Sequence, residues 1–208
     1  MRVFASILLT FSLGVLTAPA AIVDFDSISA SCCFSDVTPG GARGPVLVFG
    51  NATFDGGVVM DNTGWNDMET SFPNLYGTSD YSELSDFSVL PGFITITFLS
   101  PVSFVTLDII NGSDASDFTL SAYDGLSALL GSSVVSLTSF GQPGSVASAS
   151  VNFAGIKSVI ITSAQGEGSI DFAIDTVNFS DTGVPEPATW LSVAGGLAVL
   201  ALRRKRAA

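Results

Sequence analysis

Between residues 21 and 180, apolar and polar side chains alternate with a period of two in eight to ten short runs. In residues 93–99, Ile94, Ile96 and Phe98 fall on one face, with Thr95 and Thr97 on the other. Val105, Leu107 and Ile109 share one side of residues 102–110, and Phe118, Leu120 and Ala122 alternate with Thr119, Ser121 and Tyr123. Further runs lie at 21–28, 133–138, 146–153, 156–162 and 170–179, with shorter ones at 46–49 and 57–60. A half-buried strand needs this period, whereas a helix needs 3.6. Turn pairs such as Asn111-Gly112 and Asp124-Gly125 punctuate the runs. The pattern predicts an all-β fold, an antiparallel β-sandwich over residues 21–180.

The last run has a fault. Ile170, Phe172 and Ile174 share one face, while Val177 and Phe179 continue on the opposite parity. A β-bulge at Asp175-Thr176 restores a common inward face and re-aims Asp175. The alternatives are a strand buried on both faces there, or one that crosses between sheets.

Charge narrows the function classes. Residues 21–183 hold two basic residues, Arg43 and Lys157, against eighteen acids, a formal charge of −16. Such a surface repels phosphate backbones and excludes nucleic acid as a partner. It favours cations, calcium above all, or simply keeps an exported chain soluble. The chain has no histidine, which removes Ser-His-Asp and Cys-His catalysis and His-based metal sites. Paired carboxylates remain available for glycoside chemistry.

The two ends are apolar. Arg2 precedes an apolar run from Val3 to Leu16, and Ala18-Pro19-Ala20 places small residues at a cleavage position. Residues 1–20 thus read as a signal peptide with a helical apolar core, cut after Ala20 or Ala21, which sends the mature chain to an oxidising compartment. At the other end, residues 188–202 form a largely apolar stretch. As a transmembrane helix it spans roughly 22 Å, short of the ~30 Å hydrocarbon core. Snorkelling from Arg203 and an interfacial Trp190 extend it. Arg203, Arg204, Lys205 and Arg206 form a basic tail, residues 203–208, held on the cytoplasmic side.

Pro185-Glu186-Pro187, then the short apolar segment, then the arginine-rich tail, resembles the PEP-CTERM sorting signal. The resemblance implies recognition by an exosortase, a multi-spanning transpeptidase-like membrane enzyme, in Gram-negative bacteria that make extracellular polysaccharide. It assigns Pro185, Glu186 and Pro187 to the sorting motif and the four basic residues to stop-transfer. The physics agrees: two prolines keep residues 181–187 an extended, accessible linker. The expected route is export, a transient hold in the inner membrane, then the cell surface or the extracellular space.

The run 118–125, with the closing run 172–179, resembles the bodies of many PEP-CTERM proteins, which look like galactose-binding-type jelly rolls. In such folds the first and last strands share a structural calcium. That resemblance implies Asp24 or Asp26, with Asp175, as metal ligands. Around Trp65 stand Asn62, Asn66 and Asp67. Trp65, Asn66 and Asp67 suit a sugar ring, stacking on the indole and hydrogen bonding to amide and carboxylate; the alternative is a tryptophan covering the sandwich edge among turn-forming residues. The segment lacks the spacing of an EF-hand. Cys32 and Cys33 are the only cysteines and are adjacent. They form a strained vicinal disulfide, remain two thiols, or pair between chains.

The sequence therefore predicts a non-catalytic surface or matrix protein that contacts extracellular polysaccharide. The alternatives are a secreted glycan-active enzyme using paired carboxylates, or a matrix component that self-associates at strand edges.

Overall fold

A computed structural model of the chain describes residues 20–28, 30–31, 34–35, 46–61, 71, 73–78, 93–164 and 172–180. Twelve strands lie within them: β1 (Ala20–Val23), β2 (Ala30–Ser31), β3 (Phe34–Ser35), β4 (Leu47–Phe49), β5 (Ala52–Asp55) and β6 (Val58–Asp61). There follow β7 (Asn74–Gly77), β8 (Phe93–Asn111), β9 (Ser116–Tyr123), β10 (Leu129–Leu137), β11 (Val146–Ser163) and β12 (Phe172–Ser180). Among the described residues every pairing is antiparallel and there is no helix. Residues 1–19 of the predicted signal segment and the predicted transmembrane segment lie outside these residues, as do Cys32 and Cys33; Ala20 and Ala21, at the predicted cut, are the first residues of β1.

Ten strands join one hydrogen-bonded network, and β2 and β3 pair separately. Two strands, β8 and β11, run through the whole network and fold it into two layers. The first half of β8 pairs with β5 and with the second half of β11, which continues to β9 and β10. The second half of β8 pairs with the first half of β11 and with β12, which carries β7 and β1 on its other side. Each long strand changes its inward parity where it passes from one layer to the other. In β8 the buried set shifts from Ile94, Ile96 and Phe98 to Val105, Leu107 and Ile109. In β11 the register slips twice, between Asn152 and Ile156 and between Ile156 and Ser158. Gly155 sits in this stretch at φ +84°, a conformation that costs an L-residue and not glycine.

Leaving the ladder frees backbone groups, and side chains satisfy them. Asn51 Nδ2 donates to the Ser100 carbonyl at 3.0 Å, and its Oδ1 accepts from the Ser100 amide at 2.6 Å. Lys157 Nζ donates to the Leu99 carbonyl at 2.5 Å. The Ser103 amide donates to Ser180 Oγ at 2.6 Å.

The inner faces meet through apolar side chains. Phe98 of β8 lies against Phe179 of β12 with ring centroids 5.1 Å apart, and Phe118 of β9 against Phe172 of β12 at 5.3 Å. Each such buried side chain contributes about 1.5–3 kcal/mol relative to exposure. A smaller cluster, Val58, Leu75, Ile110 and Ala173, lies apart from the main core with Phe140 and Val146 packed against it. It buries part of the opposite face of β12, so residues Phe172, Ala173, Ile174 and Asp175 are all buried.

The parity fault in the last strand is a bulge. Asp175 opposes Asp108 and Asn178 opposes Thr106, leaving one extra residue on β12. Thr176 adopts φ +48° there. The strand is also buried on both faces just before the bulge, so two of the sequence-based alternatives hold together.

Candidate functional site

The most elaborated polar site lies where β1, β7 and β12 converge. β1 ends because the chain turns at once. Asp24 Oδ1 accepts from the Asp26 amide at 3.3 Å, Phe25 takes φ +60°, and the Ile28 amide donates to the Phe25 carbonyl at 3.1 Å. The left-handed backbone at Phe25 costs roughly 1–2 kcal/mol. Its ring is fully buried, stacked on Tyr76 at 5.4 Å and edge-on to Phe54 at 5.2 Å and Phe49 at 5.7 Å. That packing outweighs the backbone cost.

Asn74 fastens this turn to β7. Its amide N–H donates to Asp26 Oδ1 at 3.0 Å, while Nδ2 donates to the carbonyls of Ile28 at 2.7 Å and Phe25 at 3.2 Å. Ser71 fastens β12. Its backbone amide donates to Asp175 Oδ2 at 2.7 Å, and its Oγ lies 2.8 Å from Oδ2 and 3.0 Å from Oδ1. The same Oγ lies 3.3 Å from the Asp24 carbonyl. The Thr176 amide adds a donor to Asp175 Oδ1 at 2.7 Å. Asp175 is fully buried, so these charge-assisted bonds replace its lost hydration.

The three acids proposed for calcium thus meet at one corner, joined through Ser71 and Asn74. Asp24 is exposed, Asp26 is half-buried and Asp175 is buried. The Asp175 carboxylate faces N–H and O–H donors, whereas calcium needs six to eight oxygens. No group of three or more acidic or thiol side chains among the described residues is placed to hold a metal. Ser71 and Asn74 were not singled out by sequence; a lone serine and asparagine between acidic loops carry no periodic signal.

Trp65, Asn66 and Asp67 lie outside the described residues. A different polar surface is described. On the outer face of the first layer, register lines up Thr53, Thr97, Ser158 and Tyr123 across β5, β8, β11 and β9. The next row runs Asp55, Thr95, Ile160, Ser121 and Ser132. At one end of this layer a shallow open groove of about 380 Å³ is lined by Ala115, Ser116, Asp117, Ser136, Leu137 and Ala164. There Ser136 Oγ donates to Asp117 Oδ1 at 2.5 Å.

The chain is similar to several solved structures. The K2 cleaved adhesin domain of Lys-gingipain aligns at TM-score 0.48 and 8% identity, covering 78% of this chain and 100% of that one. The K1 cleaved adhesin domain of Lys-gingipain from Porphyromonas gingivalis W83 aligns at 0.42 and 14%, covering 79% and 99%. TmCBM61, solved in complex with β-1,4-galactotriose, aligns at 0.39 and 10%, covering 64% and 90%. No curated protein matches the chain. A family model does match its C-terminal part, and the sequence-based reading of that segment holds: residues 183–206 are a PEP-CTERM protein-sorting motif.

Proposed function

We propose that this protein is a non-catalytic surface or matrix component, exported by its signal peptide and sorted by an exosortase. The observation that carries the reading is the sorting motif at residues 183–206. In this reading residues 188–202 hold the chain in the inner membrane, Arg203, Arg204, Lys205 and Arg206 stop its transfer, and the enzyme acts at Pro185-Glu186-Pro187. The single carboxylate of Glu186, between two prolines at the membrane edge, is what a cationic pocket would read. Fractionation of the host with and without its exosortase, followed by mass spectrometry of the mature C-terminus, tests this. Loss of the segment after the motif only when the enzyme is present is expected. An intact C-terminus in cells with active exosortase overturns it.

The β-sandwich, which we read as a jelly roll of the galactose-binding type, contacts extracellular polysaccharide in this proposal. The hydroxyl rows on its outer face, with Tyr123 among them, support that reading. Hydroxyl side chains with an aromatic ring among them match a sugar chain's alternation of hydroxyl and C–H faces. Retention of the protein on the host polysaccharide is the measurement. Tyr123→Ala weakens it if the outer face binds, and Trp65→Ala weakens it if Trp65, Asn66 and Asp67 form the site. Retention unchanged by both removes the glycan reading. Release of reducing ends from the polysaccharide would replace it with the enzyme reading.

A further inference from the structure

We infer that β10 is a self-association edge, where a second copy of this chain adds its own β10 antiparallel and continues the first layer across both copies. Among the described residues β10 pairs with β9 alone and forms one end of the sheet. The other side of such a strand presents N–H and C=O groups toward solvent. Other edges are short or carry acids: β4 has three residues, β6 has four and ends in Asp61, and β1 has four and runs into Asp24. β10 has nine, with neither proline nor charge. Its one irregularity is the register shift between Leu129 and Gly131, which leaves residues 131–137 as a regular ladder.

The occupant follows from charge. The chain carries a net charge of −12, so two copies repel wherever acidic surfaces approach. Residues 125–156 contain no Asp, Glu, Lys or Arg, and β10 lies wholly within them. This edge strand carries no charge of its own, and its nearest acids are Asp117, bonded to Ser136, and Asp124 in the turn, so an identical acidic body meets less repulsion here than at the edges that carry acids. Exposure agrees. Of the seven large apolar residues exposed in the described structure, three sit on this edge or its turn: Leu126 at 90%, Leu129 at 60% and Val134 at 59%. Asp124 holds that turn, its Oδ1 accepting from the amides of Leu126 at 2.8 Å and Ala128 at 2.9 Å. On β10, Ser132, Val134 and Ser136 face outward and are uncharged. A two-fold antiparallel pair sets this row against itself, a self-complementary and closed arrangement.

Sedimentation velocity of the intact chain in detergent, over a wide concentration range, tests the edge. The wild-type chain is expected to associate reversibly, and more tightly as salt rises, because screening removes the repulsion between acidic bodies. Val134→Lys and Val134→Glu, checked for native circular dichroism, are each expected to weaken association about tenfold or more, since like charges then meet across the pair. Val48→Lys, on the opposite edge of the layer, is expected to leave it unchanged. A wild-type chain that stays monomeric, association weakened by salt, or association indifferent to charge at position 134 each overturns the proposal.

Discussion

The carboxylate of Asp175 accepts the backbone amide of Ser71 at 2.7 Å and lies within 3.0 Å of its hydroxyl through both oxygens. The two residues are 104 positions apart. The contact ties the bulge of the last strand to the segment that enters β7, and through the Asp24 carbonyl to the end of the first strand. Replacing Ser71 by alanine removes the hydroxyl and keeps the amide bond. Stability should fall by about 1–2 kcal/mol. Asp175→Ala takes the acceptor away from the Ser71 and Thr176 amides and empties a buried position, and should cost more, about 3 kcal/mol. Urea denaturation of each variant checks the order; an Asp175→Ala chain no less stable than Ser71→Ala contradicts it.

The same corner predicts a negative result with chelators. The Ser71 and Thr176 amides already donate to the Asp175 carboxyl, so its hydrogen bonding does not depend on an ion. Melting in calcium and in chelator should give the same midpoint. A chelator-dependent drop of several degrees would mean that calcium supplies folding energy here.

Phe25 gives a prediction whose sign differs from the usual one. At an ordinary buried strand position glycine is the worse replacement. At φ +60° alanine keeps the left-handed penalty and glycine does not. Both variants lose the ring and should be destabilised by about 3–5 kcal/mol. Phe25→Gly should nonetheless be at least as stable as Phe25→Ala, by up to about 1 kcal/mol. Paired denaturation curves decide it.

Gly57 and Gly125 should respond in opposite ways to alanine. A Cβ at Gly57 would stand 2.2 Å from the Gly77 carbonyl oxygen and 2.8 Å from the Tyr76 ring, beside the bond that the Gly57 amide donates to Tyr76 Oη. Backbone must move, and Gly57→Ala should cost about 2 kcal/mol or more. At Gly125 a Cβ meets nothing within 4 Å, and Gly125→Ala should stay within about 0.5 kcal/mol of wild type. Thermal melts of the two variants separate these outcomes.

Much of this fold was legible because alternation reports burial directly. Ile94, Ile96 and Phe98 are buried as the period requires, and the bulge was readable from the parity of Ile174 and Val177. Two errors share one cause. Residues 93–99 and 102–110 read as two strands, as did 146–153 and 156–162, yet each pair is one strand, β8 and β11. A parity change beside Pro101 or Gly155 looks locally like a turn. Only the partners on either side show that the chain bends from one layer into the other. The strands β5 and β7 were missed for a different reason. The former, Ala52–Asp55, offers only Ala52 and Phe54 as apolar positions, and the latter, Asn74–Gly77, is buried at all four positions and has no period to read. The tie between Ser71 and Asp175 was illegible because it depends on tertiary approach. The sorting motif was legible because it is a linear signal that needs no fold.

The placement of β12 has a mechanical meaning. Any tension passed along the chain beyond Ser180 enters a strand held by β8 on one side and by β7 and β1 on the other. Antiparallel bonds run perpendicular to that pull. The strand is therefore loaded in shear, with its bonds resisting together, and it cannot be peeled away one bond at a time. Its neighbour β8 belongs to both layers, so the load spreads through the whole body.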